Sequence, residues 1–138
     1  MYQRPLLDVS DAMAIVDAML QAAPGRAENP LALAVTDQYG DLLGFARMDG
    51  ATPFACQNAI SKAYTAARLR LDARELAERL RSQSRSITEL ADPKLVGSLG
   101  GGLVIVYRDA VVGAIGVSGG APDQDDAVAQ AGMNALGL

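Results

Sequence analysis

Two pairs of apolar runs, each pair joined by a short turn, limit this chain to folds built on β-hairpins. The first pair is LALAVT, from Leu31 to Thr36, and LLGFARM, ending near Met48, with Asp37-Gln38-Tyr39-Gly40 between them. The second is LVIVY and AVVGAIGV, separated by Arg108-Asp109. A parallel crossover needs a dozen or more residues, whereas antiparallel neighbours need only a few. The near absence of polar residues from Leu31 to Val35 marks a strand covered on both faces. Gly113 and Gly116 interrupt the last run, where glycine marks a bulge or the close approach of another backbone.

Helical spacing appears on either side of the hairpins. Val9, Met13, Val16, Met19, Leu20 and Ala23 recur along one face, Asp8 or Ser10 can cap the start, and Pro24-Gly25 stops the run before a loop from Gly25 to Pro30. Thr52-Pro53 is a cap and first-turn pair, and FACQNAISKAYTAARL continues without a breaker. Asp72 and Glu75 have capping-box spacing, and Leu76 and Leu80 share a face of the short helix that follows. Arg74, Glu78, Arg79 and Arg81 give that helix a solvated side. Ser82 to Ser86 and Asp92-Pro93 form an irregular connection. Asp123 can cap a last helix from about Asp125 to Leu136. The order α, β, β, α, α, β, β, α predicts an α+β fold with an antiparallel sheet in two or three layers. At 138 residues it makes one domain, 1–138.

Charge and residue types exclude several functions. A net charge of −4 and few aromatic side chains oppose binding to nucleic acid, by phosphate contact or by base stacking. Asp8, Asp11 and Asp17 interrupt the N-terminal apolar stretch, so we expect no secretion signal, no membrane span and a cytoplasmic protein. One cysteine, Cys56, and no histidine rule out a disulfide within the chain, a Ser-His-Asp triad and the usual zinc sites, so no metal site is expected. Gly100-Gly101-Gly102 precedes a strand and is followed by no Lys-Ser/Thr pair, unlike a P-loop.

Lys62 is the residue whose surroundings ask most for an explanation. It lies among Ala59, Ile60, Ala63 and Ala66, where an ammonium seeks a carboxylate or a ligand; Asp37 and Asp49, at hairpin ends, are the first partners to test. Arg47, Met48 and Asp49 close an apolar strand and form either a surface clasp or the rim of a pocket. SGGAPDQDD is either a capped helix start or an anion site at a helix N-terminus. Lys62 can also serve as a base or Schiff-base nucleophile with Tyr64, Asp49 or Asp125 as acid, although no spacing requires it.

Read together, VTDQYG, RMDGA, SKAYTA, LGGGLVI and VGAIGVSGGAPDQDD resemble the GlcG/HbpS-like family, in the same order from about Leu31 to Leu138. The resemblance implies a profilin-like domain with a five-stranded antiparallel sheet, helices on both faces and assembly into homo-oligomers. It implies ligand-binding roles for Arg47, Asp49, Lys62, Ser118 and Asp125, with Lys62 the best catalytic candidate. Relatives differ in function: some bind haem, and others belong to glycolate or diol metabolism. Without histidine, haem would have to use Met48, Cys56, Tyr39, Tyr64 or Tyr107, which disfavours it as the cofactor. The expected function is binding of an anionic metabolite or cofactor by an oligomer that is accessory to a metabolic pathway. The alternative is an enzyme of lyase or isomerase type that uses Lys62 with an Asp or Tyr for proton transfer.

Overall fold

A computed structural model describes residues 1–24 and 29–138, so most of the loop expected from Gly25 to Pro30 lies outside the described residues. The elements run α1 (Val9–Ala22), β1 (Ala32–Asp37), β2 (Leu42–Arg47), α2 (Pro53–Leu69), α3 (Ala73–Ser82), a single 3-10 turn (Ile87–Glu89), β3 (Gly102–Tyr107), β4 (Ala110–Ser118) and α4 (Pro122–Asn134). Both hairpins form. They join side by side through β1 and β4 into an antiparallel sheet of order β2-β1-β4-β3.

The described residues make four strands, not the five the resemblance implies. The sequence holds only four long apolar runs, and each is already a strand. The polar stretch between α3 and β3 supplies no further one; it lies back on α2, where Tyr64 Oη donates to Asp92 and Val96 N donates to Thr65 Oγ1 at 2.9 Å.

Local chemistry explains most boundaries. Asp8 caps α1 by accepting from Asp11 N at 2.8 Å, and Thr52 caps α2 by accepting from Ala55 N at 3.0 Å. Arg108 and Asp109 both adopt positive φ, as a two-residue hairpin turn of matching twist requires. Two caps differ from the sequence reading. Asp72 precedes α3 without bonding its first turn; its carboxylate instead takes the outer-edge amide of Val104 on β3 at 2.8 Å. α4 begins earlier than expected, with Pro122 in its first turn and Ala121 as cap, because proline already carries the helical φ and lacks the amide that would need a partner.

The two faces of the sheet are filled differently. α1 and α4 cover one face with large side chains, among them Ile15, Val16 and Met19 against Leu33, Val35, Ile115 and Val117. α2 covers the other, where Ala55, Ala59 and Ala63 meet Ala32 and Ala34. A Cβ on Gly116 would collide with the carbonyl oxygen of Ala59 and stand 2.7 Å from Ala63 N. Gly116 therefore marks the close backbone approach anticipated for it, and the fold is a three-layer α+β sandwich. Among the described residues no helix is long and apolar enough to cross a membrane.

Candidate functional site

Lys62 lies on the sheet-facing side of α2, one turn from Ala59 and beside Ala63. Because small residues hold the helix close to β4, its side chain reaches the sheet backbone. Nζ donates to the Val117 carbonyl oxygen at 2.9 Å and to Asp125 Oδ2 at 3.3 Å. The pair is deeply buried, with Lys62 7 % and Asp125 2 % exposed. Asp125 Oδ1 accepts from Gly120 N at 3.0 Å, so both carboxylate oxygens are engaged. Burial pushes the Asp125 carboxyl above the usual carboxylate range, while Lys62 and the Gly120 amide pull it back. Asp125 is thus the partner of Lys62. Asp37 instead ties the β1–β2 turn, accepting from Tyr39 N and Asp41 N, and Asp49 is exposed in the turn after β2.

A second polar pair stands beside the first. Asn58 Nδ2 donates to Ser118 Oγ at 3.0 Å, which occupies the acceptor side of that hydroxyl and leaves its proton to be donated elsewhere. Asn58 precedes Lys62 by four residues, so one turn of helix stacks the two side chains on the same face. That i, i+4 spacing was the signal by which sequence reasoning could have found Asn58, which it missed.

Gly100 and Gly101 roof the ion pair. Gly101 has φ +87, and a Cβ there would collide with the Val117 carbonyl oxygen and stand 3.1 Å from Lys62 Nζ. The turn is tied down by Gly101 N donating to Asp126 Oδ1 at 2.7 Å, while Arg74 holds Asp126 Oδ2 at 2.7 Å and Asp123 at 2.9 Å. Arg74, read from sequence as part of a solvated face, is half exposed yet clamps α3 to the start of α4.

These groups border a cavity of about 360 Å³ whose wall includes Asn58, Lys62, Ser118, Gly100 and Asp125. Three of the five anticipated site residues, Lys62, Ser118 and Asp125, therefore meet there. Arg47 and Asp49 do not line it. Arg47 pairs with Ala32, which pairs in turn with Ser118, so Arg47 and Ser118 lie level on one face of the sheet with β1 between them. At about 4.8 Å per strand their backbones are roughly 10 Å apart.

The candidate haem ligands do not converge. Met48 Sδ accepts from Leu31 N at 3.4 Å, Tyr64 is held by Asp92, Tyr39 is exposed in the β1–β2 turn, Tyr107 ends β3 and Cys56 is half-buried on α2. None of the five lines the Lys62 cavity.

Comparison with known proteins gives one consistent answer. The family model described as "Haem degrading protein HbpS-like" matches residues 7–134. An uncharacterized 15.0 kDa protein of Citrobacter freundii, from the dhaT-dhaS intergenic region, is 32 % identical over 126 residues, covering 88 % of this chain and 89 % of that protein. Protein GlcG of Escherichia coli K12 is 34 % identical over 88 residues, 64 % of this chain and 63 % of its own. The crystal structure of a double mutant of Streptomyces reticuli HbpS superposes with a TM-score of 0.87 at 32 % identity, covering 100 % of this chain and 92 % of that one.

Proposed function

This chain belongs to the HbpS-like family, and from that premise we propose that it binds a small anionic metabolite or cofactor in the Lys62 cavity, as a cytoplasmic homo-oligomer accessory to a metabolic pathway. The observation that carries the reading is the state of Lys62. An ammonium has three N–H donors, two of which go to Val117 and Asp125; among the described residues the third has no protein partner, and Lys62 and Ser118 both line the cavity. Asp125, held by the Gly120 amide through its other oxygen, orients that ammonium. Donors fixed in a buried wall bind an oxygen anion without having to reorganise. Arg47 is a second cation for a ligand long enough to extend along the end of the sheet.

The test is a thermal-shift screen of small carboxylates and phosphates on the wild type and on the double variant Lys62→Met/Asp125→Asn, which removes the ammonium without stranding a buried charge. A ligand at a hundred times its Kd stabilises by about 2.7 kcal/mol. We expect such a shift in the wild type and its loss in the variant. Equal shifts in both, or none in either, would overturn the reading. Light scattering gives the assembly state, and a monomer mass would remove the oligomer.

Two other readings have an observation behind them. A buried amine 3.3 Å from a carboxylate in the wall of a cavity places an acid–base couple where a lyase or isomerase would use one; turnover lost in Lys62→Met would identify it. The family description favours haem. With no histidine and its five candidate ligands dispersed, the chain should take haemin weakly, without a sharp six-coordinate Soret spectrum.

A further inference from the structure

The cavity is polar at its floor and apolar at its rim. Lys62, Ser118 and the half-buried Asn58 form the floor, whereas the exposed lining residues include Phe54, Leu99 and Pro122, with Thr52 the one polar side chain among them. Phe54 is 77 % and Leu99 66 % exposed, although each is large and apolar. Single exposed apolar side chains are ordinary, but here two of them flank one opening above a row of hydrogen-bond donors. Charge narrows the class further. Among the described residues of the cavity wall, Lys62 and Asp125 are the only ionisable ones, and they neutralise each other. Beside the opening Asp123 and Asp126 share one cation, Arg74, so the mouth adds negative charge. A phosphate or polycarboxylate meets no net positive charge in this wall. A single carboxylate needs only the donors present.

Resting on the proposed anion-binding reading, we infer that the ligand is a monocarboxylic acid with an apolar body, its carboxylate on Lys62 and Ser118 and its body between Phe54 and Leu99. At about 30 Å³ per water-sized group the cavity holds on the order of a dozen heavy atoms.

The experiment measures binding of 3-phenylpropionate, acetate, 3-phenylpropanol and inorganic phosphate by calorimetry to the wild type, Phe54→Ala, Leu99→Ser and Lys62→Met/Asp125→Asn. We expect 3-phenylpropionate to bind at least about tenfold tighter than acetate, phosphate or the alcohol. The gap over acetate should narrow to less than about threefold in Phe54→Ala, and the Lys62 double variant should bind none of them. Equal affinity for acetate, phosphate and 3-phenylpropionate, lost with Lys62, would overturn the apolar body while leaving anion binding intact. No binding of any probe would remove both. A drop in assembly mass for Phe54→Ala or Leu99→Ser, with ligand preference unchanged, would assign the rim to a second copy of the chain and overturn the inference.

Discussion

The two faces of this sheet solve the same problem by opposite means. On the α1/α4 side, branched and long side chains fill the space between layers. On the α2 side that space is almost absent: alanines face alanines, and Gly116 lets the helix backbone rest on β4. A thick layer can absorb a change of shape by repacking, whereas a thin one has no side-chain volume to rearrange. The thin layer is also what makes the site possible. A helix this close to the strands brings the lysine ammonium within 2.9 Å of a sheet carbonyl, and the same closeness buries all but the cavity side of that group.

The sharpest way to break the comparison is Gly116→Val. On the thin face the new side chain meets the backbone of Ala59 and Ala63, neither of which can move without lifting α2. Overpacking typically costs about 1–3 kcal/mol where side chains can yield. Here the expected outcome is a chain that does not reach the native state, seen as lost near-ultraviolet dichroism and no cooperative melt. A cooperative melt within about 3 kcal/mol of wild type would show that the thin layer has more slack than the structure gives it.

Next in size is Lys62→Met, which leaves Asp125 buried with only the Gly120 amide. Breaking a buried pair costs about 3–5 kcal/mol, and adding Asp125→Asn should recover most of it. Denaturant unfolding of the two variants checks both halves. Unchanged stability in Lys62→Met would mean the pair is not buried in solution.

The same pair sets a pH dependence. Asp125 titrates higher in the folded than in the unfolded chain, so its contribution to stability is fullest below the unfolded value of about 3.9 and declines as pH rises through the folded one. Wild type should therefore lose stability relative to Asp125→Asn as pH rises from about 3.9 through the range just above it. A constant difference over that range would show that Lys62 balances burial, and one of opposite sign that it outweighs burial.

The smallest expected effect is on the thick face. Met19→Leu conserves volume among Ile15, Val128 and their neighbours, so it should cost less than about 1.5 kcal/mol. A larger loss in chemical denaturation would mean that this layer is as unforgiving as the other; its tightest point is Gly132, where an added Cβ would stand 2.6 Å from the Met19 side chain.

Much of the fold was legible because it is written in short-range chemistry. Hydrophobic spacing located the helices, tight turns announced both hairpins, and Thr52-Pro53 marked the start of α2. Gly116 announced either a bulge or a close approach, without deciding between them or naming what approaches. The site was legible in part. Lys62 stood out because a charge among alanines has no local reason to be there, and the Ser118–Asp125 segment stood out as a glycine turn feeding a helix.

Pairing across the chain was not legible. Asp37 and Asp49 stood first as partners for Lys62 because they end hairpin strands, and the choice of Asp125 instead depends on β4 ending beside α2 so that the start of α4 turns back over it. Arg47 and Asp49 were grouped with Lys62 because the family resemblance carries the RMDG and SKA motifs together, whereas β1 separates Arg47 from the cavity end of β4. Asp72 has the spacing of a helix cap, yet the free edge of β3 lies close enough to claim its carboxylate. By itself the sequence determined which segments are helix and strand, because a residue's preference for either depends on neighbours within a turn or two. Only the tertiary structure decided which carboxylate meets the buried ammonium, because that contact joins residues 63 positions apart and depends on how closely two backbones can pack.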